Sequence, residues 1–396
     1  MASNTSKSFV FILVLLIVLP SAILAQNPGS DTGEEANNYA DIASQVEEEA
    51  RKQKWQFLGA PYVTADSDNG IILGIGTGIA KTPTAAFIIN SSVSTTGLAG
   101  FTLRGEMGNE RTRYILRNAL WLFPSNIYPF QGDLPDWEAT ALLQHTEIQW
   151  AALRKITPNF EIGPEIWTDF AKGIEPEDQD GNPLNVNYIP RLIDGSLVLG
   201  GIRARYKTTS SVRPIDGVIL DLAVRTGRAD GVMFKTPRHT TTADFWAAIA
   251  KPISPKLRFY ARGWFRYQDE AAPSVRNPIG GVFTLRGQPF ARDYGRRMVA
   301  GRFQLHYKVA EHVKSIGRVA HRIIPFIPEW DLEFEVAPFA DIGAVGDPEY
   351  GGWHRTRQGY GMSFRLVLPP DLVLFLDLAF TPGGAGSYYF GGGESL

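Results

Sequence analysis

The chain has 396 residues, with 39 Lys+Arg against 41 Asp+Glu and a formal net charge of −2 spread without a long basic run, so nothing in its charge pattern suits a nucleic-acid partner. Cysteine is absent, which excludes a disulfide scaffold, a thiolate metal site and a lipid anchor carried on cysteine. With 40 Gly and 12% aromatic residues, it is also unlike a soluble multidomain enzyme.

In chain order, residues 1–25 hold one early Lys7, an apolar run from Phe9 to Leu19, the break Pro20-Ser21 and the small residue Ala25. That pattern predicts a Sec signal peptide, since the apolar run is too short to cross a bilayer as a helix. Residues 26–54 turn polar and acidic and predict a disordered periplasmic leader with one short helix over 40–54; plain linker fits the same composition.

From Trp55 to Leu396 the apolar period is two. Leu257, Phe259, Ala261 and Phe265 alternate with Arg258, Tyr260, Arg262, Trp264 and Arg266, and Phe303, Leu305, Tyr307 and Val309 with Arg302, Gln304, His306 and Lys308. Val218 to Val224 alternate around Asp221, and Leu372 to Phe380 around Asp377. Further strands are predicted near 70–82, 85–94, 98–107, 113–123, 145–156, 159–170, 196–208, 245–254, 332–345, 360–368 and 387–396, fifteen in all. The opposite faces carry charges of both signs, including Arg113, Arg117, Glu161, Glu165, Asp169, Arg203, Arg205 and Lys207. Apolar faces free of charge over about ten residues suit strands tilted across hydrocarbon, and mixed charge suits a polar lumen.

These features predict an all-β fold: a transmembrane antiparallel β-barrel over 55–396. Bacterial barrels close on an even strand number, so sixteen strands are expected, the missing one coming from 55–65 or from part of 271–284. Long connections are predicted at 173–190, 269–297 and 309–329, the second extracellular and the third periplasmic. The 310–324 stretch has helical apolar spacing and suits either a surface-lying helix or an unstructured turn.

Catalytic motifs are weak. Gly74-Ile-Gly76-Thr-Gly78 is followed by Thr82-Pro83-Thr84 rather than a helix, and Gly361-Met-Ser363 lacks the second glycine of a nucleophile elbow. The histidines at 145, 239, 306, 312, 321 and 354 have no metal-ligand spacing, and His306 has no evident serine partner. No enzyme activity, catalytic residue, metal or cofactor is therefore expected.

Two motifs stand out, Phe283-Thr-Leu285-Arg286-Gly287-Gln288 and Pro338-Phe339-Ala-Asp341-Ile-Gly343, followed by a terminal strand with Tyr388, Phe390 and Leu396. An inward carboxylate at Asp341 in a confined lumen needs a cation, and Arg286 offers a rigid fork of donors beside a glycine that permits close approach. A solvated loop arginine and a turn aspartate are the plain alternative. In order and spacing these elements resemble the outer-membrane insertase (BamA/TamA) superfamily, whose barrel is also described as the bacterial surface antigen domain.

The resemblance implies that the 269–297 loop folds into the lumen. Arg286 and Gly287 would form its tip, and Phe339, Asp341 and Gly343 the wall motif that receives it. Gln288 stands where an aromatic is expected, with Phe290 two residues on. Tyr388, Phe390 and Leu396 would then be the terminal assembly signal, although Leu396 replaces the usual Phe.

Family members fold outer-membrane proteins or export polypeptides with the help of POTRA domains before the barrel. Residues 26–54 are too few to fold one, so a member lacking POTRA domains is expected. Gly391-Gly392-Gly393 would weaken the seam between the last and first strands, or simply leave room for lumen side chains.

The expected partners are outer-membrane lipid and either unfolded outer-membrane protein clients or a separate periplasmic partner. Three functions follow: assembly or insertion of outer-membrane components, a passive or loop-gated channel, and a structural surface antigen using the 173–190 and 269–297 loops.

Overall fold

A computed structural model describes residues 56–66, 70–81, 85–109, 111–127, 139–178, 180–183, 194–209, 216–231, 237–269, 277–281, 284–288, 293–310, 332–347, 352–368 and 372–392. The expected signal peptide, the 26–54 leader, the basic stretch from 311, Phe290 and Leu396 lie outside these residues.

The strands are β1 (Gln56–Asp66), β2 (Gly70–Lys81), β3 (Ala85–Ser94), β4 (Ala99–Gly108), β5 (Thr112–Ile127) and β6 (Ala139–Thr157). They continue as β7 (Phe160–Glu177), β8 (Gly195–Lys207), β9 (Gly217–Gly231), β10 (Arg238–Pro252), β11 (Leu257–Gln268), β12 (Asn277–Ile279) and β13 (Asp293–Gly295). The last five are β14 (Arg297–Ala310), β15 (Glu333–Asp347), β16 (Gly352–Leu368), β17 (Leu372–Phe380) and β18 (Gly386–Gly392).

Sixteen of them close one antiparallel barrel in chain order, β18 returning to β1, while β12 and β13 pair as a separate hairpin inside the β11–β14 connection. The sixteenth barrel strand is thus β1, the 55–65 candidate. Among the described residues of the 271–284 stretch, Asn277–Ile279 form β12, outside the barrel.

The period of two places the apolar face outward. On β9, Leu220, Leu222 and Val224 are exposed while Asp221, Ala223 and Arg225 are buried. Arg286, Arg302 and Arg365 are among the largest fully buried side chains. Water as the outer solvent would reverse that distribution, because charged side chains are buried only when paired and large apolar patches are kept from water. Hydrocarbon outside accounts for it, and a closed barrel is the β structure that leaves no unpaired edge there.

Several strands run past the membrane. β6 has 19 residues and β7 has 18, whereas about ten suffice to cross. The sequence reading stops β7 at residue 170 and begins a loop at 173, yet pairing continues to Glu177. Beyond the hydrocarbon band an outward residue need not be apolar, so alternation fades at Lys172 and Glu175 while the ladder goes on. Alternation in the sequence puts Leu332 on the outward parity with Phe334 and Val336, yet it is buried and lies one residue before β15.

Among the described residues, β1 and β18 share two register pairs, Ala65 with Phe390 and Asp66 with Tyr389, against seven between β17 and β18 and eleven between β1 and β2. Thr64 and Gly391 lie within the two strands but outside the ladder, and Thr64 Oγ1 donates instead to the Phe390 carbonyl.

Two outcomes follow from this architecture. Unboiled protein should migrate faster on a denaturing gel than boiled protein. Leu222→Arg, on the lipid face, should lower the free energy of folding into bilayers by about 2–4 kcal/mol, read from denaturant-dependent insertion into lipid vesicles.

Candidate functional site

The β11–β14 connection turns back into the barrel. Its base is the β12–β13 hairpin, and its tip is a tight loop in which Thr284 Oγ1 donates to the Gly280 carbonyl and accepts from the Gly280 N–H. Leu285 is fully buried against Trp264, Ile279, Met298, Ala300 and Val345, an apolar anchor on the lumen wall. One residue further, Arg286 is wholly buried.

The Arg286 guanidinium meets Asp341 as a fork, with Nε to Oδ2 at 2.8 Å and Nη2 to Oδ1 at 2.8 Å. Its backbone N–H also reaches Asp341 Oδ2, at 3.1 Å, and Nη1 reaches Asp377 Oδ2 at 3.0 Å. The guanidinium carbon lies 3.4 Å from the centroid of the Phe339 ring. Burial by itself penalises this charge, and the two carboxylates hold it in place.

Backbone fit completes the dock. Gly287 has φ +86°, a conformation that favours glycine; it packs against the Phe380 backbone, and its N–H donates to the Tyr389 hydroxyl at 3.3 Å. On the wall, a Cβ at Gly359 would sit 1.9 Å from the Arg286 carbonyl oxygen, so only glycine lets the tip lie down there. Gly343 plays a similar part under the hairpin, where a Cβ would meet Ile279 at 3.0 Å.

Two further ion pairs fasten the returning half of the loop. Asp293 accepts from Arg357 Nε at 2.7 Å. Arg296 directs its backbone N–H at 3.1 Å and its Nε at 3.3 Å to Asp347 Oδ1, and its Nη1 at 2.6 Å to the Asp269 carbonyl.

The structure therefore brings Arg286, Gly287, Phe339, Asp341 and Gly343 together. Gln288, at the aromatic position, donates to the Gln358 carbonyl at 3.1 Å, a polar contact in place of a ring. Of the terminal strand, Tyr388 faces outward and is exposed, and Phe390 is half-buried.

Sequence reasoning missed Asp377, Tyr389 and Asp347 as members of the dock, and for Arg296 it leaves a place in the same network open beside the default of a solvated loop charge. Asp377 left a signal: it is the single charge in Leu372-Val-Leu-Phe-Leu-Asp377-Leu-Ala-Phe380 and has inward parity. Arg296 is buried rather than a solvated loop charge, because Asp347 and the Asp269 carbonyl satisfy it.

On the far wall the lumen charges are interlocked. Arg203 bridges Glu165 at 2.8 Å and Asp221 at 2.9 Å, Arg205 reaches Asp221 at 2.8 Å, and Arg225 reaches Glu165 at 2.8 Å while lying over the Trp167 ring. Ser363 and His306 sit on one row, either side of Ala337, about 10 Å apart by strand spacing, and Ser363 Oγ has no hydrogen-bond partner. Among the described residues no group of side chains is arranged to hold a metal ion.

Fold and dock together define a sixteen-strand membrane barrel with a lumen-bound loop clasped to its wall. No protein-family model and no curated protein matches the chain. Among solved structures, BamA from Haemophilus ducreyi lacking POTRA domains 1–3 matches with TM-score 0.54 and 12% identity over 86% of this chain and 70% of that one. CdiB from Acinetobacter baumannii matches with TM-score 0.53 and 12% identity over 95% and 71%, and CdiB from Escherichia coli with 0.55 and 10% over 86% and 63%. The chain has the fold of these outer-membrane barrels.

Removing the cation should release the loop. Arg286→Ala leaves Asp341 and Asp377 buried without it, a loss of about 3–5 kcal/mol in docking. Limited proteolysis of the 269–296 loop should accelerate in this variant while heat-modifiable migration persists. Gly359→Val should expel the tip in the same way without removing any charge.

Proposed function

We propose that this chain assists the assembly or insertion of outer-membrane components, with the β1–β18 seam as the entry point. The observation that carries this reading is that, among the described residues, the seam ladder has two pairs and stops at Thr64 and Gly391, where its neighbours pair throughout, in a barrel whose loop tip is fastened to the seam strand β18 through Tyr389. Backbone groups freed by opening the seam can pair with an incoming strand by β-augmentation. Outer-membrane lipid and unfolded client proteins are the partners of this reading. Residues 1–25 serve in it as the signal peptide, and the 40–54 segment of the leader as the recruiter of a separate periplasmic partner.

The absence of native cysteine gives a clean test. Ala65→Cys with Phe390→Cys places two thiols at a directly paired position, within disulfide reach. Cells relying on the oxidised double variant should lose outer-membrane protein levels as depleted cells do, and regain them on reduction. Normal levels with the seam locked would sink the proposal.

A loop-gated channel is the second reading, favoured by the ion-paired wall around Arg203, Glu165 and Asp221, since sixteen strands enclose room for an aqueous path. In planar bilayers it requires a steady conductance that rises in Arg286→Ala. A surface antigen displaying 269–297 fits less well, because Leu285 and Arg286 in that loop are wholly buried.

A further inference from the structure

Among the described residues of the lumen, one arginine is left over by the clasp. Arg262, on the inward face of β11, lies with its guanidinium carbon 4.5 Å from the Trp264 ring and 4.9 Å from the Trp246 ring. The two indoles are themselves register partners across β10 and β11, so they form one aromatic platform. Arg262 Nε is buried without a hydrogen-bond partner, and among the described residues the guanidinium makes no ion pair. Every other arginine singled out on the lumen wall, from Arg203 to Arg357, lies within 4 Å of a carboxylate, Arg302 the most loosely at 3.8 Å.

The register explains why. Arg262 pairs with Arg302 across β11 and β14, Arg302 with Asp341 across β14 and β15, and Asp341 with Gly359, under the loop tip. The row thus sets two cations side by side. Asp341 already accepts three hydrogen bonds from Arg286 and lies 3.8 Å from Arg302 Nε, and Asp377 is taken by Arg286. Three guanidiniums share two carboxylates, and the one left over is Arg262.

Ring contacts engage the π-face of a guanidinium and leave its in-plane N–H donors free. Those donors match two oxygens of a carboxylate or phosphate, and such charge-assisted pairs strengthen where water is partly excluded. We infer that Arg262, on its Trp246–Trp264 platform beside Arg302, is a binding site for a small oxyanion of the phosphate or carboxylate class entering from the lumen. The inference is independent of the assembly function and holds equally for a channel.

The test is calorimetric titration of the full chain in detergent with inorganic phosphate, and separately with acetate, at constant ionic strength. One saturable site is expected for at least one anion, and the comparison assigns the class. Arg262→Gln should weaken that binding about tenfold or more. Arg262→Lys, which keeps the charge and loses the planar fork, should weaken it to a smaller extent.

Intrinsic tryptophan emission should shift with occupancy in the parent protein and by a smaller amount in Trp246→Leu, where Trp264 alone remains, which separates this platform from any other cationic patch. Heat-modifiable migration establishes that each variant is folded. No saturable binding of either anion to the parent protein overturns the inference. So does unchanged affinity in folded Arg262→Gln or, should that variant not fold, in Arg262→Lys.

Discussion

In hydrocarbon an unpaired backbone N–H or C=O has no water to turn to, and this constraint organises the whole molecule. It forces the strands to close, and closure turns the usual distribution of side chains inside out. Apolar residues such as Leu222, Phe303 and Leu378 face outward, and the interior is left to polar and charged groups. A lumen lined with charge then has its own requirement, because a desolvated ion is tolerated only when paired. The cross-strand ladders around Glu165 and Asp221 and the Arg286 clasp are two solutions to that second problem.

The clasp is better understood as a fastener than as a source of stability. A buried ion pair contributes little net free energy once its desolvation is counted, whereas breaking one by removing a single partner is costly. Its value here lies in geometry. The fork on Asp341, the second carboxylate at Asp377 and the missing side chains at Gly287 and Gly359 leave the tip one place to lie. Leu285 supplies apolar burial in the same residue stretch, so adhesion and registration come from adjacent positions.

How much of this was legible in the sequence depends on the range of the interaction. Strand identity is a local property, written as alternation at Leu257 to Arg266 or Phe303 to Lys308, and the barrel and its strand number follow from it. Arg286 and Asp341 were legible because each sits in a recognisable motif, although 55 residues apart. Asp377 and Tyr389 were not: they lie 91 and 102 positions from their loop partners, and what joins them to the tip is the stacking of β15 to β18 in the barrel. The extensions of β6 and β7 were hidden for another reason. Past the bilayer the ladder persists while the apolar requirement lapses, so the pattern ends before the strand does.

The contacts of the loop tip also bear on the seam. Arg286 is bonded to β15 through Asp341 and to β17 through Asp377, Gly287 packs on the Phe380 backbone at the end of β17, and its N–H is bonded to Tyr389 of β18. The tip therefore braces the last strands from within, while among the described residues β18 holds its other neighbour, β1, by two register pairs. Strain applied across these residues would meet the shorter ladder on the β1 side and a braced ladder on the β17 side, so separation would favour β1 leaving β18 rather than β18 leaving β17. The docked loop thus does not need to seal the barrel in order to matter: it stiffens one side of the seam, and in a barrel that opened there it would bias which pair of strands separates.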